Sequence, residues 1–582
     1  MKSALGLSQR APRFGSIFVS ILTITLYHRY LCLTTFAKVS YGWTYNAYQG
    51  FNPTAAFFND KGPVLWLGAA SDVLFAIAVA LVFVFAPYPL LVVSVGVLAF
   101  FYASNIEHIK ANLTAIDLDL LGFATDAAFI EAHLTSDVIL NAAVFFAIAL
   151  GLLRLERVGR LARVGALAGA VLCAAALAYI PNSFRISEPA WLQSHPLLPT
   201  LGQSKLETSD RTFDPAAFER AQLIELGPDR LNVLVIYMEG LSRFSLTKAD
   251  METLRTLADR NISLERFVGH QLITSNGLYT TLTGDVPSFI SSERKWNDLA
   301  NDAEVTAEAL PAILSEQGYH TAFLQSAPLA FMSKDTQLAE LGFEELRGNR
   351  DWLSGGDVLR NGWGIDDRSL FRNVIRYIDD LDETQPWFIS VLTTGTHAPY
   401  NVPQDFLPQE VSARYRALKY LDMAIAELMQ DLENRGLLEN TVVIFTSDES
   451  RESSNLSTLD NQMLLSWLPF IAIHPSQATQ SVHQVLPNKM TRDLVLELTT
   501  NAATPVLQTL TAQTDPVIFG NVFDGRVFWY EPKTGDFFAC LKGAQLGCEH
   551  WRDVHDITRP TQGIKTGQAY YPNLENAILD HE

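Results

Sequence analysis

Long apolar runs fill the first third of the chain and short ones the remainder, and this change of length marks two kinds of structure. Five runs, at residues 14–37, 63–86, 88–104, 136–153 and 161–181, each approach the roughly 20 residues that a helix needs to cross a bilayer. They predict a bundle of five membrane helices, with the chain ends on opposite sides. Lys2, Arg10 and Arg13 precede the first run, and Arg154, Arg157, Arg160 and Arg163 lie between the fourth and fifth, whereas the links at 38–62 and 105–135 hold few basic residues. The positive-inside rule puts the N-terminus and the Arg cluster in the cytoplasm and everything after about residue 182 outside. A first run of this length, followed by four more, reads as an anchor in place of a cleavable signal peptide.

Two charges interrupt the apolar pattern. Arg29 and Asp72 lie about 8 and 9 residues from the outer ends of the first and second runs, so at about 1.5 Å per residue they share a depth. They are expected to face each other, because an unpaired charge there costs at least a few kcal/mol. The alternative is that Arg29 snorkels outward beside His28 while Asp72 lines a wet cleft.

Beyond the runs, Pro189, Pro196 and Pro199 break helical periodicity, which makes residues 186–230 a connector between a membrane domain at 1–185 and a soluble domain. The soluble domain opens on Leu231 to Met238, a nearly continuous apolar stretch bounded by polar residues. That is the signature of a strand buried on both faces of a parallel sheet. Residues 387–392 and 441–446 repeat it, and His320–Gln325 is a further strand-like piece. Helical stretches at Thr306–Gln317 and Ser369–Leu381 alternate with these pieces, so residues 231–515 read as an α/β domain with a mainly parallel central sheet and helices on both faces. From about 516 to 582 the pattern changes to strand-like segments such as Arg526–Tyr530 and turn residues at Lys533–Asp536, which predict a small antiparallel sheet.

Composition narrows the function. Of 582 residues 48% are hydrophobic and only 18% charged, which fits a membrane portion joined to one large globular domain. A formal net charge of −20, with no basic block to offset it, argues against nucleic acid as a partner. Cys32 and Cys173 lie in apolar runs and read as packed small residues. Cys540 and Cys548 lie in the exported part, separated by a Gly-containing loop that can fold back as a hairpin; a disulfide is expected there, with two free thiols the alternative.

The candidate chemistry sits at strand ends. Glu239 follows the first buried strand, Thr396 and His397 follow the 387–392 strand, and Asp448 and Glu449 follow the 441–446 strand. In open α/β sheets ligands collect at the carboxyl ends of strands. A single acidic residue in such a place is often only a helix cap. Three strand ends that carry Glu, His and Asp-Glu favour a site. The segment Thr274-Ser275-Asn276-Gly277 reads as a helix start, where a hydroxyl nucleophile and backbone N–H groups meet a bound anion. Oxygen ligands at two strand ends with such a hydroxyl suit metal-assisted transfer of a phosphoryl-type group.

Taken together, the membrane runs, Val-Leu-Val-Ile-Tyr-Met-Glu239, His270 to Tyr279, Gly395-Thr396-His397 and Thr446-Ser447-Asp448-Glu449 resemble the lipoteichoic acid synthase group of the alkaline phosphatase and sulfatase superfamily. Asn105 to Lys110 followed by Ile116-Asp117-Leu118 is similar to that group's segment after the third helix. The resemblance implies five membrane helices ahead of an extracytoplasmic sulfatase-like domain, held in a bacterial cytoplasmic membrane. It also implies transfer of a phosphoglycerol-type head group from a membrane phospholipid donor to a glycan or lipid-linked acceptor. Residue by residue, Thr274 matches the nucleophile, Glu239 and Asp448 match metal ligands, and His397 matches a substrate-contacting histidine. Arg360 to Asp367 resembles a substrate-pocket segment, with Trp363 and Arg360 the candidates in it.

One position departs from the family's Asp-His-Gly: here the residues are Asp448-Glu449-Ser450. An all-oxygen, strongly anionic site of Glu239, Asp448, Glu449 and the Thr274 hydroxyl favours one divalent cation of the Mn²⁺, Mg²⁺ or Ca²⁺ kind over Zn²⁺. The same superfamily also holds phosphoethanolamine transferases, hydrolases and catalytically inactive binding relatives, which remain alternatives. A sulfatase proper needs an oxidisable Cys or Ser in a Cys-x-Pro-x-Arg type segment, and none of the four Cys lies in one.

Overall fold

The computed structural model describes residues 5–45, 53–83, 86–112, 116, 136–153, 195, 230–269, 274–286, 308–331, 334–352, 363–382, 384–397, 400, 402–403, 405–408, 412–450, 459–464, 466–499, 516–521, 526–541 and 547–570. They fall into two compact units, Met1–Leu206 and Glu207–Glu582.

The first unit is built from α1 (Leu5–Tyr45), α2 (Pro53–Phe83), α3 (Tyr88–Asn112) and α4 (Ser136–Leu153). Among the described residues these supply four segments long and apolar enough to cross a membrane: Phe14–Thr35, Leu65–Phe83, Tyr88–Ile109 and Ser136–Leu153. The fifth run, at 161–181, lies outside the described residues. Ala76, Ala80, Ala99 and Ala149 are fully packed between the helices, where small side chains let backbones approach closely. Trp66, Val82, Val93, Val97 and Leu140 point outward, an apolar surface suited to lipid.

Several polar groups inside this bundle pair with one another. Arg29 pairs with Asp72 through Nε to Oδ2 and through Nη2 to Oδ1 at 2.9 Å, both side chains buried. Asn105 accepts the Ile116 N–H at 2.9 Å and donates to His28 Nε2 at 3.1 Å, which ties the segment after α3 to α1. His195, on the expected connector, is buried in this unit. Its backbone N–H donates to Ser71 Oγ at 2.8 Å, its ring stacks on Phe75 at 3.7 Å, and its Nε2 lies 2.9 Å from the Tyr102 hydroxyl. The ion pair gives a direct prediction. Asp72→Leu alone strands the Arg29 charge and should lower stability by about 3–5 kcal/mol, while Arg29→Leu with Asp72→Leu should recover most of it. Denaturant unfolding of the detergent-solubilised protein measures these variants and Arg29→Leu alone, and single-variant losses that simply add in the double variant would show that the pair is not coupled.

The second unit is organised by a nine-stranded sheet in the order β4-β3-β5-β1-β6-β8-β2-β7, with β9 also paired to β2. The strands are β1 (Asn232–Tyr237), β2 (Ile262–Val268), β3 (His320–Gln325), β4 (Glu345–Arg347), β5 (Trp387–Leu392), β6 (Thr441–Thr446), β7 (Trp467–Leu468), β8 (Phe470–Ile473) and β9 (Gln480–Pro487). From β4 to β6 every pairing is parallel; β6 to β8 and β8 to β2 are antiparallel. β5 and β6 are buried along their whole length and β1 along all but its first residue, as the unbroken apolar runs require. Because β1 lies between β5 and β6 and runs parallel to both, the three carboxyl ends emerge side by side.

Four helices bear on the site: α5 (Thr274–Thr283), α6 (Lys334–Glu340), α7 (Asp367–Asp379) and α8 (Ala413–Asn434). The C-terminal segment forms an antiparallel five-stranded sheet of consecutive strands, β10 (Val517–Asn521) to β14 (Ile564–Tyr570). Phe519, Phe528, Phe537 and Trp551 on one of its faces pack against Val268, Met463 and Val485. Cys540 and Cys548 are cross-strand neighbours joined by a disulfide.

Candidate functional site

The parallel register of β1 and β6 decides where the acidic residues go. Tyr237 pairs with Thr446, so Glu239 and Asp448 leave the sheet at the same level and on the same edge. Ser447 fastens the two exits together: its hydroxyl donates to the Met238 carbonyl at 2.5 Å and accepts the Leu241 N–H at 3.1 Å. The Glu239 N–H donates to Thr393 Oγ1 at 3.1 Å, which binds the end of β5 to the same edge.

Glu239, Asp448 and Glu449 are all buried, and one oxygen from each lies within 4.8 Å of the others. Thr274, the first residue of α5, is half-buried beside them. Its Oγ1 donates to Glu239 Oε1 at 3.1 Å and lies 3.5 Å from Glu449 Oε1. The N–H groups of a helix's first turn point out of its N-terminal end, the end at which Thr274 stands. Gly277 allows this close seating. A Cβ there would run into the backbone carbonyl of Asp448, so no side chain is tolerated at the point where α5 meets the strand exit.

Packing these carboxylates together raises the proton affinity of Asp448. Burial first, and then the neighbouring Glu449 charge, push the Asp448 carboxyl up to about 7, against the pull of the Glu449 and Gly240 N–H groups and of Glu239. Asp448 Oδ1 accepts the Gly240 N–H at 3.2 Å, while its Oδ2 is buried with no hydrogen-bond partner among the described residues. A buried carboxylate oxygen left open in a cluster of like charges fits a cation, and oxygen donors of this kind suit a hard divalent ion.

Lys334, the first residue of α6, is a part of the site that the sequence reading did not identify. It is buried, and burial lowers its proton affinity while the charges of Glu239 and Asp448 act in the opposite direction. Its ammonium lies 5.1 Å from the centre of the Phe331 ring. Phe331 in turn stands edge-on to Trp363 at 5.4 Å, and Trp363 edge-on to His397 at 4.6 Å. In the sequence a Lys followed by Asp and Thr at a helix start reads as a solvated residue, and no spacing signal distinguishes it.

The structure therefore brings Glu239, Thr274, Asp448 and Glu449 together and stands Trp363 against His397. The turn carrying His397 is joined to the acidic cluster through Thr396, whose Oγ1 donates to the Glu239 carbonyl at 2.5 Å. Arg360 lies outside the described residues.

Residues 231–481 match the family model described as Sulfatase. Lipoteichoic acid synthase 1 of Bacillus subtilis is 24% identical over 161 residues, which are 26% of this chain and 25% of that protein. Phosphoglycerol transferase I of Xanthomonas campestris is 25% identical over 292 residues, 46% of this chain and 41% of the relative. The chain thus spans between a quarter and about two fifths of the length of these relatives. Among solved structures, a protein in the alkaline phosphatase superfamily from Vibrio parahaemolyticus superposes with a TM-score of 0.50 at 17% identity, over 61% of this chain and 85% of that one, a likeness of fold.

Proposed function

We propose that this protein, a lipoteichoic acid synthase-like member of the alkaline phosphatase and sulfatase superfamily through its domain at residues 231–481, is a membrane-anchored phosphotransferase. It moves a phosphoglycerol-type head group from a phospholipid to a glycan or lipid-linked acceptor, by way of a phospho-threonine at Thr274. The observation that carries this reading is the Thr274 hydroxyl hydrogen-bonded to Glu239 inside a cluster of three buried carboxylates at the sheet's carboxyl edge.

A divalent cation held by Glu239, Asp448, Glu449 and Thr274 would neutralise the carboxylates and favour the ionised form of the threonine hydroxyl. The remaining work falls to the chain's own groups. Thr274 Oγ attacks the phosphorus of the donor, its proton passing to Glu239 Oε1, and the bond from phosphorus to the diacylglycerol oxygen breaks as that oxygen takes up a proton from solvent. The first-turn N–H groups of α5 meet the developing charge on the phosphoryl oxygens. Lys334 places a buried cation beside the same cluster, and its low-dielectric surroundings strengthen its attraction for an anion. His397, backed by Trp363, contacts the head group. In the second half an acceptor hydroxyl displaces Thr274 from phosphorus and gives its proton to solvent, and Thr274 recovers its own from Glu239.

Glu449 in place of an imidazole makes the ligand set entirely oxygen, so Mn²⁺, Mg²⁺ or Ca²⁺ is preferred to Zn²⁺. The four described apolar helices support a membrane protein, and the apolar run at 161–181, were it also to cross, would carry the catalytic domain to the outer face. The test is mass spectrometry of full-length protein after incubation with phosphatidylglycerol vesicles and Mn²⁺. The expected result is a glycerol phosphate added to the peptide containing Thr274. Release of free head group with no adduct in either wild type or a slowed variant would refute the covalent route.

A further inference from the structure

Two adjacent carboxylates at the start of α7 have separate partners. Asp366 caps the helix: it accepts the Ser369 N–H at 3.2 Å, the Ser369 hydroxyl at 2.5 Å and the Tyr420 hydroxyl at 2.7 Å. Asp367 turns away from its own helix toward the end of β5. It is 1% exposed, and its Oδ1 accepts the N–H groups of Thr394 and Gly395 at 3.2 and 3.0 Å. A Cβ on residue 395 would overlap Asp367 Oδ2, so glycine is required for the approach. That Oδ2 has no hydrogen-bond partner among the described residues. Burial pushes the Asp367 carboxyl up to about 6, with Asp366 adding to the effect, while the two N–H groups favour the ionised form.

The turn that Asp367 grips is the one that delivers His397. The His397 N–H donates to the Thr394 carbonyl at 3.1 Å, Thr394 Oγ1 meets Ser326 Oγ at 2.6 Å, and Thr396 Oγ1 holds the Glu239 carbonyl. The His397 ring stands against Trp363, four residues before Asp367 on the same segment. One stretch of chain thus braces His397 from both directions, its ring through Trp363 and its backbone through Asp367. Filling space alone needs no charge, and a buried carboxylate is costly. What it supplies is an acceptor strong enough to hold two N–H groups with one oxygen.

We propose that Asp367 is a positioning residue, which fixes the Thr394–His397 turn and thereby sets where the His397 imidazole meets substrate. Its effect on turnover rests on the phosphotransfer reading; its effect on His397 does not. The test uses the full-length protein in detergent with Asp367→Ala, Asp367→Asn, His397→Ala and the Asp367→Ala/His397→Ala double variant. Carbethoxylation of His397 by diethyl pyrocarbonate, followed by mass spectrometry with His320 as the internal reference for folding, reports its setting directly.

Asp367→Ala should raise His397 reactivity severalfold and leave His320 unchanged. Asp367→Asn, which keeps an oxygen acceptor but not the charge, should fall between Ala and wild type. Head-group release from phosphatidylglycerol vesicles should drop about tenfold to a hundredfold in Asp367→Ala, and adding that change to His397→Ala should cost nothing more. Unchanged His397 reactivity, or single-variant losses that multiply in the double variant, would overturn the assignment. If Asp367→Ala fails to fold, Asp367→Asn alone decides: raised His397 reactivity supports the role and wild-type reactivity removes it. Should Thr274→Ala leave head-group release intact, the transferase reading falls while His397 reactivity still judges Asp367.

Discussion

Thr274→Ala should lose both the covalent adduct and head-group transfer, by a factor on the order of 10⁴ or more, because no other group can take the place of the bond that Thr274 Oγ makes to phosphorus. The fold should be little affected. Thr274 is half-buried, and the change removes only a hydroxyl and a methyl from the first residue of α5. Thr274→Ser keeps an attacking oxygen and should retain measurable turnover. Radiolabel passed from phosphatidylglycerol to the protein and on to acceptor measures both steps. A Thr274→Ala protein that still becomes labelled would place the nucleophile elsewhere.

The second large effect concerns the cation and the acidic cluster together. Without a cation, the folded-state Asp448 carboxyl titrates near 7, well above its ordinary value near 3.9. For an acid whose proton affinity is raised by folding, the stability contribution is complete below the unfolded value and is lost as pH rises through the folded one. Cation-free protein should therefore lose stability between about pH 4 and 7. A bound divalent ion reverses the effect, since it favours the ionised carboxylates. At about a hundred times its dissociation constant it should add about 2.7 kcal/mol, and binding below pH 7 should release protons. Thermal unfolding with Mn²⁺ or with a chelator, at about pH 5 and about pH 8, reads this directly. A cation-free protein no less stable at the higher pH would contradict the clustering of the three acids.

Much of this arrangement was legible in the sequence for one physical reason. A strand buried on both faces of a parallel sheet must be apolar throughout, so β1, β5 and β6 announce themselves, and whatever polar residue follows them stands at the ligand-binding edge. Glu239, Asp448 and Glu449 were visible in that way, and the Arg29–Asp72 pair through the cost of an isolated charge in lipid. Other parts depend on tertiary approach, which leaves no local trace. Lys334 looks like an ordinary solvated lysine until α6 buries it beside Glu239 and Asp448. Asp367 shares its type with Asp366 and differs only in reaching across to the end of β5. His195 sits among prolines that mark a connector, yet its ring is packed on Phe75. Strand β9 is partly exposed, and β7 and β8 are short pieces of one apolar stretch divided by Pro469, so none of the three reads as a full-length buried strand.

The seating of Gly277 on the Asp448 carbonyl has a mechanical consequence. The helix that carries the attacking hydroxyl and the strand exit that carries the acidic oxygens touch main chain to main chain, with no side chain between them to act as a compliant spacer. Thermal breathing of the domain should therefore move the two as one rigid piece. Adaptation to acceptors of different size would fall to Phe331, whose ring meets Trp363 only at an edge and can tilt without moving the braced His397.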